Sequence, residues 1–313
     1  MQQVFSFFKL IRWLNLLFIA LTQSLFYYCI VQPVFYAHQP IPHLEQILFG
    51  ILVASSVLIA AGGYIINDYF DVNIDLVNKP DRMVVDKSIH RRWAILWHLI
   101  FSFTGTLLGF YIGLKNGNWL IGWANFVAVL LLWFYSTSFK KQLLSGNVLI
   151  SLLTAWVVMV VYFFATMQSG HPSSASTGDG DKLLRLALVY SSFAFLISLI
   201  REMVKDMEDV EGDRKYGCRT MPITWGLQFS KIFTGVWLVI LLVLLLVSMF
   251  YILYFKMWLP ALYHFVLIVL PTIYCLRILP ASGTAHQFSV LSKWIKLIMF
   301  TGILSMVFFK FFS

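Results

Sequence analysis

The sequence predicts an all-α integral membrane protein in which nine helices cross the bilayer. Of its 313 residues 60% are hydrophobic and only 12% charged, against about 25% charged in a soluble domain. The apolar residues gather into nine runs that approach or exceed the roughly 20 residues a helix needs to cross a bilayer. These runs are continuously apolar and lack the alternation of a membrane barrel, which excludes strands.

The first run, 13–36, follows Lys9 and Arg12. No convincing small-residue cleavage site comes after it, so it reads as a retained span rather than a leader. The second, 45–66, ends where a group of aspartates begins. Runs at 93–113, 119–135 and 148–167 follow, divided by polar, Gly-containing or basic stretches. The sixth, 184–204, carries Arg185 and Arg201, and 232–254, 257–276 and 295–311 complete the set. The segment Ser169 to Asp181 is small, polar and turn-rich and is expected to be a flexible loop without chemistry.

With the N-terminus inside, 18 of the 23 Lys and Arg residues fall on one side of the membrane. Lys115, Lys182, Arg185, Lys256 and Lys310 make up the other 5. The positive-inside rule therefore supports an odd number of spans with a cytoplasmic N-terminus. It also accounts for the formal charge of +9 without nucleic acid, because the basic residues sit between apolar runs. Cys29, Cys218 and Cys275 have neither metal spacing nor even pairing, so no disulfide framework or zinc site is expected.

The 14 acidic residues are more telling than the basic ones. Asp68, Asp71, Asp75, Asp81 and Asp86 follow the second run; Glu202, Asp206, Glu208, Asp209, Glu211 and Asp213 follow the sixth. Both groups fall on the cytoplasmic side. Asp68/Asp71/Asp75 and Asp206/Asp209/Asp213 share the spacing i, i+3, i+7, which places three carboxylates on one face of a helix. Such a face repels itself unless a cation is bound. Mg²⁺ answers that need, since it takes one or two carboxylates and completes its shell with water and phosphate oxygens. Two such faces turned toward each other would hold a diphosphate. A solvated helix end with chance acidic residues explains one triplet as well, but not a matched pair on one side. Basic groups stand near both: Arg12 with Asn15 one turn on, Lys79 and Arg82, and Lys140 and Lys141 after the fourth run. These cations suit a leaving diphosphate, whereas Arg91, Arg92, Arg277, Lys293 and Lys296 read as ordinary positive-inside decoration.

The stretch from Asn67 through Asp68 and Asp71 to Asp75 resembles the first acidic motif of the UbiA superfamily of intramembrane prenyltransferases. Arg201-Glu-Met-Val-Lys-Asp-Met-Glu-Asp-Val-Glu-Gly-Asp213 resembles the second. Tyr135 to Lys141, followed by Gly146-Asn147, resembles a third, shorter motif. The likeness covers essentially the whole chain. It implies one domain over 1–313, a nine-helix bundle around a central cavity, and acidic-motif halves at about 1–145 and 146–313. The form Lys-Asp-x-x-Asp-x-x-Gly-Asp is most similar to members that attach a geranylgeranyl group to geranylgeranylglyceryl phosphate. Members with aromatic-acid acceptors share much of the pattern. Met83-Val-Val-Asp-Lys87 departs from the Pro-x-Pro-Ser-Gly turn found there in many members.

The resemblance implies transfer of a prenyl group from a prenyl diphosphate to a lipid-soluble acceptor, with Mg²⁺ as cofactor. Asn67, Asp68, Asp71 and Asp75 would hold metal at one wall, and Asp206, Asp209 and Asp213 at the other, with Asp71 and Asp209 foremost. Arg12, Asn15, Lys79, Arg82, Lys140 and Lys141 would contact the diphosphate. Tyr135 would face a developing allylic cation, though an aromatic core residue is as good a reading of it. No obligate protein partner is implied, and the site would open on the cytoplasmic side of a cytoplasmic membrane. An ion-coupled transporter is the rival of another class, but transporters place such carboxylates near the midplane on broken helices rather than at helix ends.

Overall fold

The computed structural model describes residues 2–36, 40–78, 80, 83–167 and 177–312. Among them nine helices are long and apolar enough to cross a membrane. They are α1 Trp13–Phe35, α2 His43–Asn78, α3 Arg91–Asn116, α4 Leu120–Thr137, α5 Ser145–Thr166, α6 Gly178–Glu208, α7 Leu227–Tyr254, α8 Trp258–Ile278 and α9 Ala285–Phe311. Each expected span is present. Several helices outrun the apolar run that announced them, because backbone hydrogen bonding continues past the lipid boundary. α2 extends to Asn78 and so carries the whole first aspartate triplet on continuous helix. α6 extends to Glu208. α9 starts well before residue 295, at a capping box in which Thr284 accepts from Gln287 N and the Gln287 side chain returns to the Thr284 N–H. Of the expected loop at 169–181, residues 169–176 lie outside the described residues, while 178–181 belong to the first turn of α6.

A short helix, Gln2–Leu10, precedes α1. It buries Leu10 and exposes Val4, Phe5 and Phe8, the pattern of a helix lying in a membrane interface. α1 and α8 each contain one π-turn, Tyr27–Val31 and Phe265–Val269, followed closely by Pro33 and Pro271. Proline lacks the N–H that would close the regular i→i−4 bond. The wider turn re-pairs the neighbouring groups, with Gln32 N–H donating to Tyr27 O and Leu270 N–H to Phe265 O.

The chain divides into two compact units, Met1–Phe139 with Trp156–Val189, and Lys140–Ala155 with Tyr190–Ser313. In the first, α2 packs along α3 and α4. Small residues permit the approach: a Cβ on Gly105 would stand 2.7 Å from Ile59 Cγ1 and 3.1 Å from Ser55 O. Buried polar bonds pin the same helices. Asn125 Nδ2 donates to Ser55 Oγ (2.7 Å), which donates to Gly105 O (2.6 Å), and His98 Nδ1 donates to Gly62 O (2.9 Å). At the start of α2, buried Glu45 accepts from Tyr27 Oη (2.7 Å) and from Tyr36 Oη. Burial, then this bond to Glu45, pushes the Tyr36 hydroxyl pKa upward.

In the second unit Ile200, Met203, Val204 and Met207 of α6 form a core with Leu238 and Leu241 of α7, Val269 of α8, and Leu291 and Ile295 of α9. α7 is the most apolar of the nine spans and the least buried. Its exposed Val236, Val239, Val243, Val247 and Phe250 form the surface that meets lipid.

Candidate active site

The first acidic motif is built on the last three turns of α2, with the residue that joins the N-terminal helix to α1 beside it. Arg12 is that residue. Its backbone is left-handed (φ 51°, ψ 52°), a conformation that costs a side-chain-bearing residue on the order of 1 kcal/mol. The strain is held by what the side chain does. Nη2 donates to Asp68 Oδ1 at 2.6 Å, and the guanidinium lies over the Tyr64 ring, 5.2 Å from its centroid. The charge of Asp68 raises the Arg12 pKa further above its ordinary value, so this group is cationic at every working pH. Asn15 N–H donates to Arg12 O at 2.7 Å, capping the turn.

One turn before Asp71, Asn67 Nδ2 donates to Asp71 Oδ2 at 2.7 Å. This bond fixes the carboxamide, and the amide oxygen Oδ1 is then buried without a hydrogen-bond donor. A buried acceptor in that state costs about 1–3 kcal/mol. A hard cation with oxygen ligands removes the deficit, so the Asn67–Asp71 pair fits the Mg²⁺ expected here. Asp75 follows on the same helix face and is near enough to raise the Arg12 pKa as well. Lys79 and Arg82 lie outside the described residues. Tyr135, in the last turns of α4, is half-buried.

The second acidic motif occupies the end of α6, next to the start of α5. Asp206 lies in α6, but the helix is interrupted at Asp209 (φ −99°, ψ 9°), and a short helix, Val210–Lys215, carries Asp213. The expectation of one continuous helical face is therefore corrected for this triplet. The i→i+4 bonds Asp209 N to Lys205 O (2.9 Å) and Asp213 N to Asp209 O (3.1 Å) persist across the kink. Asp206 Oδ2 accepts from Asn147 Nδ2 at 2.7 Å, and Asn147 is buried. Lys140 and Lys141 form a 3₁₀ turn ahead of α5. Lys141 O accepts from Arg219 N at 2.7 Å, which ties that turn to the segment after the second motif.

Among the described residues, no group of three or more His, Cys, Asp or Glu is placed to hold a metal ion. Each motif supplies an Asn–Asp pair instead. The role of Asn147 was not assigned from the sequence, although Gly146-Asn147 stood in the third motif; its signal is a lone carboxamide at the polar end of an apolar span. The ion-paired group Arg201, Glu202 and Lys205 was likewise unassigned. Arg91, read as decoration, pairs with Asp86 at 2.9 Å with both side chains well exposed, where an ion pair contributes little.

Residues 24–300 match the UbiA prenyltransferase family. The digeranylgeranylglyceryl phosphate synthase of Methanothermobacter thermautotrophicus is 35% identical over 194 residues, 61% of this chain and 62% of that protein. The enzyme of the same name from Ignicoccus hospitalis is 36% identical over 178 residues, 56% and 54% of the two chains. The matched region thus spans about three-fifths of the curated relatives' length. A solved structure concerning digeranylgeranylglyceryl phosphate synthase aligns over 98% of this chain and 99% of its own, with TM-score 0.61 and 23% identity. A UbiA homologue from Archaeoglobus fulgidus bound to GPP and Mg²⁺ aligns over 96% and 99%, with TM-score 0.56 and 14% identity. These two share the fold. By the extent of the family match, the chain belongs to the UbiA prenyltransferase family.

Proposed function

We propose that this protein transfers a geranylgeranyl group from its diphosphate to the free hydroxyl of a glycerol-phosphate ether lipid. The observation that carries the reading is the Asn67–Asp71 pair, which presents a fixed carboxylate and a buried amide oxygen with no donor at the end of a membrane-spanning helix. The names of the curated relatives support the acceptor class, and the Archaeoglobus fulgidus homologue bound to GPP and Mg²⁺ supports the donor and cofactor.

Asn67, Asp68, Asp71 and Asp75 on α2, with Asp206, Asp209 and Asp213 around the end of α6, are the residues that would hold Mg²⁺. When bound, the metal supplies charge neutralisation for the departing diphosphate. Arg12 is pre-set beside Asp68 to add a fixed positive charge, and Lys140 and Lys141, with Lys79 and Arg82, are further cations for the same group. The C1–O bond of the donor breaks with its electron pair passing to the diphosphate oxygen. The acceptor hydroxyl oxygen forms the new bond to C1, and its proton leaves to a carboxylate. Tyr135 stabilises positive charge on the allylic carbon. The bias of Lys and Arg supports a site on the cytoplasmic face of a cytoplasmic membrane.

The test is a transfer assay on the purified full chain with Mg²⁺ and labelled geranylgeranyl diphosphate. Product from 3-O-geranylgeranylglyceryl phosphate, abolished by EDTA and by Asp71→Ala and Asp209→Ala, is the expected outcome. Product from 4-hydroxybenzoate or a naphthoate alone would transfer the protein to quinone synthesis. No Mg²⁺-dependent product with any of these acceptors would refute the reading.

A further inference from the structure

The N-terminal part of the second motif carries a polar feature distinct from its aspartates. Arg201 and Lys205, one turn apart, share Glu202: Lys205 Nζ lies 2.6 Å and Arg201 Nη1 3.2 Å from Glu202 Oε1. All three side chains are partly buried, with relative exposures of 21%, 27% and 14% for Arg201, Lys205 and Glu202. Arg201 Nε is buried and has no hydrogen-bond partner. Five residues before Asp206, Arg201 lies about 7.5 Å nearer the membrane interior along the helix axis.

A basic side chain present only to obey the positive-inside rule extends its polar head to water. In Arg201, by contrast, one of the guanidinium N–H groups is sealed from water and left without an acceptor. Its surroundings are polar further inward as well. Ser198 Oγ, one turn deeper on α6, lies 3.2 Å from Thr154 Oγ1 on α5, and Asn147 of α5 bonds Asp206 at the outer end. A polar seam thus runs from the acidic motif into an otherwise apolar span, where ionisable groups are costly and mark ligand sites.

We propose that Arg201, steadied by Glu202 and accompanied by Lys205, is a binding group for a substrate phosphate on the membrane-interior side of Asp206. The guanidinium fork matches two phosphate oxygens, and an incoming oxyanion satisfies the sealed Nε–H. The inference builds on the proposed function and deepens it, because it assigns a contact to the phosphate of the glycerol-phosphate acceptor. The same chemistry is offered by the donor diphosphate, and the experiment separates the two sources.

Arg201→Gln and Arg201→Lys in the full chain are compared with wild type for the KM of each substrate. A second readout needs no turnover: the rise in melting temperature caused by 3-O-geranylgeranylglyceryl phosphate, and separately by geranylgeranyl diphosphate, in Mg²⁺-free detergent. For Arg201→Gln we expect the acceptor KM to rise tenfold or more, the donor KM to stay within twofold, and the acceptor-induced thermal shift to vanish. Arg201→Lys should restore part of each. A rise in donor KM with loss of the donor-induced shift instead supports the phosphate site and assigns it to the diphosphate. If both KM values stay within twofold and both thermal shifts survive, the inference is overturned. A wild-type protein that transfers nothing defeats the proposed function, and the thermal shifts still decide whether Arg201 binds phosphate.

Discussion

Asn147 Nδ2 donates to Asp206 Oδ2 at 2.7 Å, joining the first turn of α5 to the second acidic motif. The bond has a counterpart in the first unit, where Asn67 Nδ2 donates to Asp71 Oδ2 at the same distance. A carboxylate that accepts one fixed amide N–H has a single orientation and keeps its other oxygen for a ligand. The two pairs are reached differently. Asn67 is one turn from Asp71 on α2, whereas Asn147 must be delivered from another helix.

Asn147→Ala should therefore disorder Asp206 without removing it. We expect the Mg²⁺ concentration for half-maximal activity to rise about tenfold, the worth of one hydrogen bond to a charged group, with the donor KM at saturating Mg²⁺ little changed. Mn²⁺ binding followed by EPR should weaken in parallel. An unaltered metal dependence in a folded variant would show that the bond is packing alone.

Arg12 separates backbone strain from charge. Arg12→Gly makes the left-handed backbone favourable but removes the partner of Asp68, so the melting temperature should hold while transfer falls about tenfold or more. Arg12→Lys keeps the charge and loses the fork and its stacking on Tyr64, and should fall between the two. If Arg12→Gly transferred as fast as wild type, the Arg12–Asp68 ion pair would have no part in the reaction.

Much of this architecture could be read from the residues, for physical reasons. Lipid demands about 20 apolar residues per span, which is why all nine helices were legible, and the repeated aspartate spacing singled out the two acidic motifs. Hydropathy cannot say where a helix continues into polar sequence. The extension of α2 to Asn78 and the early start of α9 at Ala285 were therefore invisible to it. The interruption at Asp209 was missed because i, i+3, i+7 spacing is the same on straight and kinked helix. Asn147 and Arg201 went unassigned because their roles depend on partners: a carboxylate on another helix for one, and an N–H sealed from water for the other.

Glu45 is a buried acid outside those motifs, and its role is structural. It accepts from both Tyr27 and Tyr36, so Glu45→Ala strands two hydroxyls at a cost of about 1–3 kcal/mol each where they remain buried. The melting temperature in detergent should drop by several degrees, while kcat per folded molecule stays within twofold. Tyr27→Phe with Tyr36→Phe in the Glu45→Ala background removes the stranded hydroxyls and should recover part of the loss. Reduced kcat in a fully folded Glu45→Ala protein would assign this carboxylate to the reaction instead.

Gly105 sets how closely α3 approaches the helix that carries the first motif. The Cβ of Gly105→Ala would meet Ile59 Cγ1 at 2.7 Å and Ser55 O at 3.1 Å. The first contact can yield by side-chain movement, but the second is backbone and cannot. Overpacking of this kind costs about 1–3 kcal/mol, and the displaced α2 bears Asp68 and Asp71 further along. Gly50→Ala, on the same helix and with nothing within 4 Å of its Cβ, is the control and should be neutral or slightly stabilising. Ile59→Ala combined with Gly105→Ala removes one contact and leaves the other. A double-mutant cycle of melting temperatures should therefore show only partial rescue. Full rescue would place the whole constraint in the Ile59 side chain, and no loss in Gly105→Ala would mean that the α2–α3 approach is looser than these distances allow.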